Sequence, residues 1–243
     1  MTARGKAEVS GGRQEGLPDR LASIEVIASD YDRTLTALDL SLRPATVQAV
    51  DRASGAGIRI VIVSGRKLHF MARISGMFEH VDALVAENGA VISYNGLVRK
   101  LSEENGKRIA DELEDRRVPI IRGDVISYVE KGNLERARVA LEGMGNYARL
   151  VRNVDSGMVL PAGVDKDTGL RVALELMGKR MDRTAVVGDG ENDLSLFRLE
   201  ALKVALGNSV LQIRERADVV YEKPGGEGVV EMIEAILSSR ERE

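Results

Sequence analysis

The chain has 243 residues, of which 44% are hydrophobic and 30% are charged, a composition that excludes a globally disordered protein. Because it contains no cysteine and two histidines, disulfide frameworks, thiolate nucleophiles and multi-histidine metal sites are excluded. A formal charge of -3 gives no attraction to nucleic acid, so we expect no such partner. No apolar run reaches the roughly 20 residues of a membrane helix, and no secretory signal is visible, so we expect a cytoplasmic protein without a membrane partner.

Short apolar runs alternate with helical patterns along most of the chain. Residues 1–20 are polar and glycine-rich, which predicts a flexible tail. Strands are predicted at 24–29, 58–63, 81–86, 184–187, 201–206 and 217–221, and helices at 44–53, 68–74, 169–177, 194–199 and 229–237. This alternation predicts an α/β fold, with a Rossmann-like parallel sheet covered by helices on both faces.

The middle of the chain has a different pattern. Residues 89–162 contain a charged helix at 107–117, a strand-like run at 125–129, a second helical pattern and an extended segment at 150–160. We expect a small α+β unit at 89–162, inserted into an α/β core made of residues 21–88 and 163–243.

Polar side chains follow the predicted strands, where ligands bind in parallel α/β sheets. Each group alone is also typical of a turn, a helix cap or a solvated surface. Together they comprise carboxylates suited to Mg²⁺, and hydroxyl, ammonium and backbone N–H groups suited to phosphate oxygens. A carboxylate can attack phosphorus while a second one moves the proton, so the set predicts phosphoryl transfer. The groups are Asp30, Asp32 and Thr34; Ser64 and Gly65; Asn88; Lys166; and Asp189, Asn192 and Asp193.

The order of these groups resembles the haloacid-dehalogenase-like (HAD) hydrolases. The segment Asp30-Tyr31-Asp32-Arg33-Thr34-Leu35-Thr36 resembles their first motif, Ser64 the second, Lys166 the third, and Gly188-Asp189-Gly190-Glu191-Asn192-Asp193 the fourth. Asn208 lies in a further segment common among members with a large cap. Arg33 stands where the family often has glycine, although arginine disfavours positive φ.

The insertion lies between the second and third motifs, which resembles the subgroup whose cap is a small open sheet backed by helices. Its size and the junction Glu87-Asn88-Gly89-Ala90 look most like archaeal-type phosphoglycolate phosphatases. The resemblance implies an aspartyl-phosphate mechanism with Mg²⁺ as cofactor and a small phosphorylated metabolite, best 2-phosphoglycolate, as substrate. Sugar-phosphate phosphatases of the sucrose-phosphate or mannosyl-3-phosphoglycerate type, a phosphomannomutase-like phosphomutase and a non-catalytic phospho-switch are the alternatives.

The resemblance also implies roles for individual residues. Asp30 would be the nucleophile and a Mg²⁺ ligand, and Asp32 the general acid and base with its backbone carbonyl on Mg²⁺. Asp189 and Asp193 would complete the metal site. Phosphate-binding residues would be Thr34, which also shapes the turn, with Ser64, Gly65, Lys166 and Asn192. For contacts with the rest of the substrate we consider Arg66, Asn88, Arg122 and Arg152, and we expect a monomer or homodimer.

Overall fold

Two β-sheets and eight α-helices form the framework of the part of the chain that the computed structural model describes, residues 16–153 and 156–242. In chain order the strands are β1 Val26–Asp30, β2 Arg59–Val63, β3 Ala83–Ala86, β4 Val91–Tyr94, β5 Leu97–Lys100, β6 Ile121–Arg122, β7 Ser127–Glu130, β8 Ala148–Asn153, β9 Ser156–Pro161, β10 Thr184–Val187, β11 Leu202–Leu206 and β12 Val219–Tyr221. The helices are α1 Leu17–Ala22, α2 Pro44–Gly55, α3 Leu68–Ser75, α4 Glu103–Asp115, α5 Leu134–Glu142, α6 Lys166–Met177, α7 Leu211–Arg214 and α8 Gly225–Arg240.

The larger sheet has eight strands in the order β12-β11-β10-β1-β2-β3-β4-β5. Its strands from β12 to β3 are parallel, and β1 lies between β2 and β10. Asp30 pairs in register with Val63 at the end of β2, and Ser29 pairs with Val187 at the end of β10. The three strands therefore end at one edge of the sheet, and the predicted α/β class with a mostly parallel sheet is confirmed.

Strand β1 is buried on both faces, as its short and mostly apolar run predicts. Ile27 packs in a cluster with residues of α2, α3 and α8, whereas Val26 and Ala28 pack in a second cluster with residues of α6. Side chains of a strand point alternately to its two faces, so one apolar segment contributes to both helical layers. This double burial fixes the height and orientation of Asp30 at the end of the strand.

The smaller sheet is antiparallel, in the order β6-β7-β9-β8, and forms the cap. Helices α4 and α5 cover one of its faces, where Ile109, Leu113 and Ala137 of the helices pack against Val129 and Val159 of the sheet. Alternate residues of the same strands point the other way, and Met158 and Leu160 join the apolar cluster of the larger domain. The cap sheet therefore packs its open face against the parallel-sheet domain.

Two predicted boundaries differ from the structure. The predicted tail extends to residue 20, but α1 begins at Leu17, because Leu17 and Leu21 lie four residues apart and pack on the core cluster. Residues 1–15 lie outside the described residues. The hairpin β4–β5, predicted as part of the insertion, instead extends the larger sheet antiparallel to β3. Asn95 and Gly96 form its two-residue turn, both with positive φ, which is the turn that matches strand twist.

The start of α6 passes very close to the turn that follows β3. A Cβ atom added at Gly169 would lie 2.5 Å from Gly89 Cα and 2.7 Å from the nearest atom of Val85. We predict that Gly169→Ala lowers the free energy of unfolding by about 1–3 kcal/mol, because the helix must move away from the sheet. The measurement is urea unfolding followed by circular dichroism.

The matched control is Gly55→Ala, at the end of α2, where an added Cβ has no atom within 4 Å. Its stability should stay the same or rise by up to about 1 kcal/mol, since alanine favours helix. Equal free energies of unfolding for the two variants would contradict the close approach of Gly169 to Gly89 and Val85.

Candidate active site

The predicted site residues meet at the C-terminal edge of the parallel sheet. Asp30 ends β1, Ser64 follows β2, Asp189 follows β10, and Lys166 is the first residue of α6. They surround a cleft of about 310 Å³ between the sheet edge and the cap. Its lining residues are Asp30, Asp32, Arg33, Leu40, Ser64, Gly65, Arg66, Tyr128, Ser156, Met158, Asp189, Gly190 and Asn192.

Lys166 is fully buried and lies between two carboxylates. Its Nζ donates to Asp30 Oδ1 at 2.6 Å and to Asp193 Oδ1 at 2.5 Å. Burial alone would lower the pKa of Lys166, but the two carboxylates outweigh burial and raise it above its ordinary value. The start of α6 is fixed by Asp165, whose side chain accepts from the Thr168 N–H while the Thr168 hydroxyl accepts from the Asp165 N–H.

Asp30, Asp189 and Asp193 form an acidic cluster, with one carboxylate oxygen from each lying within 4.8 Å of the others. Burial raises the pKa of Asp30 well above its ordinary value; Lys166 opposes this shift, and the neighbouring carboxylates add to it. Burial and the Asp193 charge likewise raise the pKa of Asp189 to about 6. A desolvated cluster of oxygen ligands that repel one another fits a hard divalent cation, and Mg²⁺ prefers carboxylates of this kind.

Both oxygens of Asp193 are already engaged. Oδ1 accepts from Lys166, and Oδ2 accepts from the backbone N–H groups of Asp189 and Gly190 at 3.0 and 2.9 Å. Asp193 therefore holds the turn after β10 in shape while it contributes to the acidic cluster. This arrangement suits a ligand that reaches the cation through water or through a remaining lone pair.

The side chains of Thr34 and Asn208 orient the carboxylate of Asp189. The Thr34 hydroxyl donates to Asp189 Oδ1 at 2.8 Å, and Asn208 Nδ2 donates to Oδ2 at 3.0 Å. Asn208 also bridges the Arg33 carbonyl and the Gly225 N–H. The fully buried Thr34 hydroxyl is directed to the Asp189 carboxylate, and Thr34 does not line the cleft, so the structure gives no support to the prediction of Thr34 as a phosphate ligand. Asn208, which was predicted only as part of a family segment, proves to orient a candidate metal ligand.

Three of the predicted phosphate contacts line the cleft. Ser64 and Gly65, directly after β2, line the cleft, and Asn192 lines it from the turn after β10. Ser64 is buried, and its hydroxyl accepts from the Arg66 N–H at 3.3 Å. Arg33 also lines the cleft and has the positive φ of 60° that its position in the motif implies.

Asp32 faces the cleft but is not part of the acidic cluster. Its two carboxylate oxygens accept from Arg66 Nη2 at 2.6 Å and Arg66 Nε at 2.7 Å, a bidentate pair. The guanidinium of Arg66 also stacks on Phe70, with 4.2 Å from Cζ to the ring centroid. Hydrogen bonds to Asp32 raise the pKa of Arg66 above its ordinary value. The pair places one carboxylate and one cation side by side in the cleft.

The other predicted substrate contacts lie elsewhere. Asn88 is buried, and its backbone N–H donates to the Ser64 carbonyl at 2.9 Å. Arg122 pairs with Asp111 and Glu114. Arg152 is exposed on β8, near enough to Glu135 of α5 for their charges to interact. None of the three lines the cleft in this structure, which gives their prediction as substrate contacts no support. Tyr128, Ser156 and Met158 are cleft residues that the sequence did not reveal.

A family profile described as haloacid dehalogenase-like hydrolase matches residues 27–155 and 151–233. The chain belongs to the haloacid dehalogenase-like hydrolases. The resemblance seen in the sequence is thereby confirmed, as is the expectation of an enzyme. Members of this HAD family generally use a divalent metal, in agreement with the acidic cluster.

Curated relatives cover nearly the whole chain. A Saccharolobus solfataricus protein named phosphoglycolate phosphatase 2 is 35% identical over 220 residues, which are 88% of this chain and 92% of that protein. A Methanothermobacter thermautotrophicus protein named phosphoglycolate phosphatase is 29% identical over 224 residues, 88% of this chain and 99% of the relative.

Solved structures share the fold. The crystal structure of Thermoplasma acidophilum 0175 has a TM-score of 0.77 at 20% identity and covers 88% of this chain and 98% of its own. The crystal structure of Thermotoga maritima TM0651 has a TM-score of 0.73, also at 20% identity, and covers 87% of this chain and 97% of its own.

None of the helices within residues 16–153 and 156–242 has the length and apolar character of a membrane span.

The raised carboxyl pKa values predict that, as the pH falls, the metal-free protein gains stability while its affinity for Mg²⁺ decreases. Without metal, Asp189 binds protons more tightly in the folded chain than in the unfolded chain, whose Asp pKa is about 4, so it adds stability as pH falls from 7 to 5. The raised pKa of Asp30 acts in the same direction. Mg²⁺ competes with these protons. Protonation of Asp189 alone should therefore weaken Mg²⁺ binding about tenfold between pH 7.5 and pH 5.

The measurement is the shift in melting temperature on adding Mg²⁺, followed across this pH range. The shift should shrink as the pH falls through about 6. A shift that stays constant down to pH 5 would contradict Mg²⁺ binding at the buried carboxylates.

Proposed function

We propose that this enzyme is a Mg²⁺-dependent phosphomonoester hydrolase that works through an aspartyl phosphate on Asp30. The observation that carries the proposal is the buried ion pair between Lys166 and Asp30 at the end of β1, beside an acidic cluster. Asp30, Asp189 and Asp193, with the backbone carbonyl of Asp32, would hold Mg²⁺ in the proposed site. The ion would offset the negative charge of the phosphoryl group.

In the first step, Asp30 attacks phosphorus. Lys166 holds Oδ1 of this carboxylate, so Oδ2 is the oxygen proposed to form the new P–O bond. The bond from phosphorus to the ester oxygen breaks, and the carboxyl group of Asp32 delivers a proton to the leaving alcohol. The hydroxyl of Ser64, the amide of Asn192 and backbone N–H groups bind the phosphoryl oxygens.

In the second step, a water molecule attacks phosphorus of the aspartyl phosphate. Asp32, now ionised, accepts a proton from the water, and the bond from phosphorus to Asp30 breaks to release inorganic phosphate. In the described structure both oxygens of Asp32 bind Arg66, so Arg66 must yield at least one of them during each proton transfer. The cap supports both steps by covering the cleft and limiting the access of bulk water.

The proposed substrate is a small phosphorylated metabolite, with 2-phosphoglycolate as the best candidate. The curated relatives carry this activity in their names. The cleft is about 310 Å³, which suits a substrate of a few atoms beyond the phosphate. It also presents the guanidinium groups of Arg33 and Arg66, which match a carboxylate on the leaving group. A cytoplasmic location, a monomeric or homodimeric state and the absence of nucleic-acid partners stay predictions.

Phosphate release from a panel of phosphomonoesters tests the proposed function. With Mg²⁺, the enzyme should release inorganic phosphate from 2-phosphoglycolate faster than from sugar phosphates or p-nitrophenyl phosphate, and EDTA should abolish release. Asp30→Asn should lower kcat by at least about 10³-fold, because the nucleophile is lost. Consumption of a sugar phosphate without phosphate release would indicate a mutase, and full activity of Asp30→Asn would contradict the mechanism.

Replacing Arg66 tests the proposed recognition of the substrate carboxylate. Arg66→Met keeps an apolar contact with Phe70 but removes the guanidinium, so kcat/KM for 2-phosphoglycolate should fall about 10²-fold. The value for p-nitrophenyl phosphate, which lacks a carboxylate, should fall much less. Arg152→Met, at an exposed residue away from the cleft, serves as the control and should leave both values unchanged. Equal losses for both substrates in Arg66→Met would contradict this role.

A further inference from the structure

A fully buried carboxylate links the larger domain to the cap, outside the proposed catalytic groups. Glu87 follows β3 and has no exposed surface. Its two oxygens accept backbone N–H groups from Asp124 at 2.6 Å, Val125 at 2.8 Å and Ile126 at 3.0 Å. All three donors belong to the segment 123–126, which directly precedes β7 in the cap and is called the anchor loop below.

The turn that carries Glu87 is also bonded to the proposed phosphate-binding segment. The Glu87 N–H donates to the Arg66 carbonyl at 2.9 Å, and the Asn88 N–H donates to the Ser64 carbonyl at 2.9 Å. The side chain of Glu87 therefore reaches the cap from a backbone that is fixed to residues 64–66. One residue connects the anchor loop to the wall of the cleft where phosphate is proposed to bind.

The strand that follows the anchor loop forms the cap wall of the cleft. The Tyr128 hydroxyl donates to the Gly65 carbonyl at 2.9 Å, and Tyr128 lies in register with Met158 on β9. A Cβ atom added at Gly65 would lie 2.9 Å from the sulfur of Met158. Tyr128 and Met158 thus lie directly over the segment 64–66, and they limit the depth available to a leaving group.

The fit between Glu87 and the anchor loop is tight. A Cβ atom at Gly123 would lie 2.6 Å from one carboxylate oxygen of Glu87 and 2.7 Å from the other. Three N–H bonds from successive residues fix the orientation of the loop as well as its distance. Loss of the carboxylate would leave buried N–H groups without acceptors, so the loop would move rather than keep its position.

We propose that Glu87 is a positioning residue that fixes the cap wall over the phosphate-binding segment and so restricts the enzyme to small leaving groups. The proposal rests on the proposed phosphatase function for its kinetic consequence, whereas the anchoring itself does not depend on that function. When the anchor is lost, Tyr128 and Met158 move away from residues 64–66. Small substrates then lose close contacts, and bulky substrates gain room.

Two variants disturb the anchor from opposite sides. Glu87→Gln keeps the side-chain size but turns an amide N–H₂ group towards backbone donors, and Gly123→Ala places a methyl group against the Glu87 oxygens. In both, kcat/KM for 2-phosphoglycolate should fall at least about tenfold, while the value for p-nitrophenyl phosphate stays the same or rises. Amide hydrogen exchange at residues 124–126 should become at least about tenfold faster, measured by mass spectrometry.

Matched controls lie elsewhere in the cap. Glu112→Gln changes a carboxylate of α4 that binds Arg108 and Tyr147, and Gly132→Ala adds a methyl group where no atom lies within 4 Å. Both controls should keep the wild-type ratio of the two kcat/KM values and the wild-type exchange of residues 124–126. If Glu87→Gln does not fold, Gly123→Ala provides the same test.

The proposal is overturned if both anchor variants keep the wild-type ratio of the two kcat/KM values. It is also overturned if exchange at residues 124–126 does not change in either variant. If the wild-type enzyme hydrolyses neither substrate, the proposed function fails instead. The exchange rates then decide on their own whether Glu87 anchors the loop.

Discussion

The buried ammonium of Lys166 is the interaction on which the site depends. It joins the start of α6, the end of β1 and the turn after β10, which are distant in the sequence. Two carboxylates this close and this deeply buried repel each other, and removing each charge from water costs several kcal/mol. One cation with two short hydrogen bonds offsets both effects. The parallel sheet supplies the other condition, because its strands end at one level and bring the carboxylates to the same edge.

The sequence was most informative where burial is complete. Strands β1, β2 and β10 are short, mostly apolar and almost wholly buried. Their ends, and with them Asp30, Ser64 and Asp189, could therefore be placed correctly. The hairpin β4–β5 was missed because its second strand is exposed, and its main signal is the Asn95-Gly96 turn. The direction of the Thr34 hydroxyl and the acidic partners of Arg122 depend on residues brought together by folding, which spacing along the chain does not encode.

The two domains divide the work in the proposed enzyme. The parallel sheet provides the groups that act on a phosphoryl group, and these do not distinguish one phosphomonoester from another. Selection must come from what surrounds the leaving group, namely Arg33 and Arg66 from the core and Tyr128 and Met158 from the cap. The segment 64–66 belongs to both tasks. Ser64 lines the cleft where phosphate is proposed to bind, Gly65 contacts the cap wall, and Arg66 contacts Asp32 and the turn of Glu87.

Trapping of the phosphorylated enzyme is the most direct test of the central claim, that the ion-paired Asp30 is the nucleophile. Enzyme with Mg²⁺ is mixed with ³²P-labelled substrate, quenched with acid within milliseconds and digested for peptide mapping. We expect an acid-stable, alkali-labile label on the peptide that contains Asp30, with none on Asp30→Asn. Label on a different residue, or rapid phosphate release with no labelled enzyme at any quench time, would contradict it.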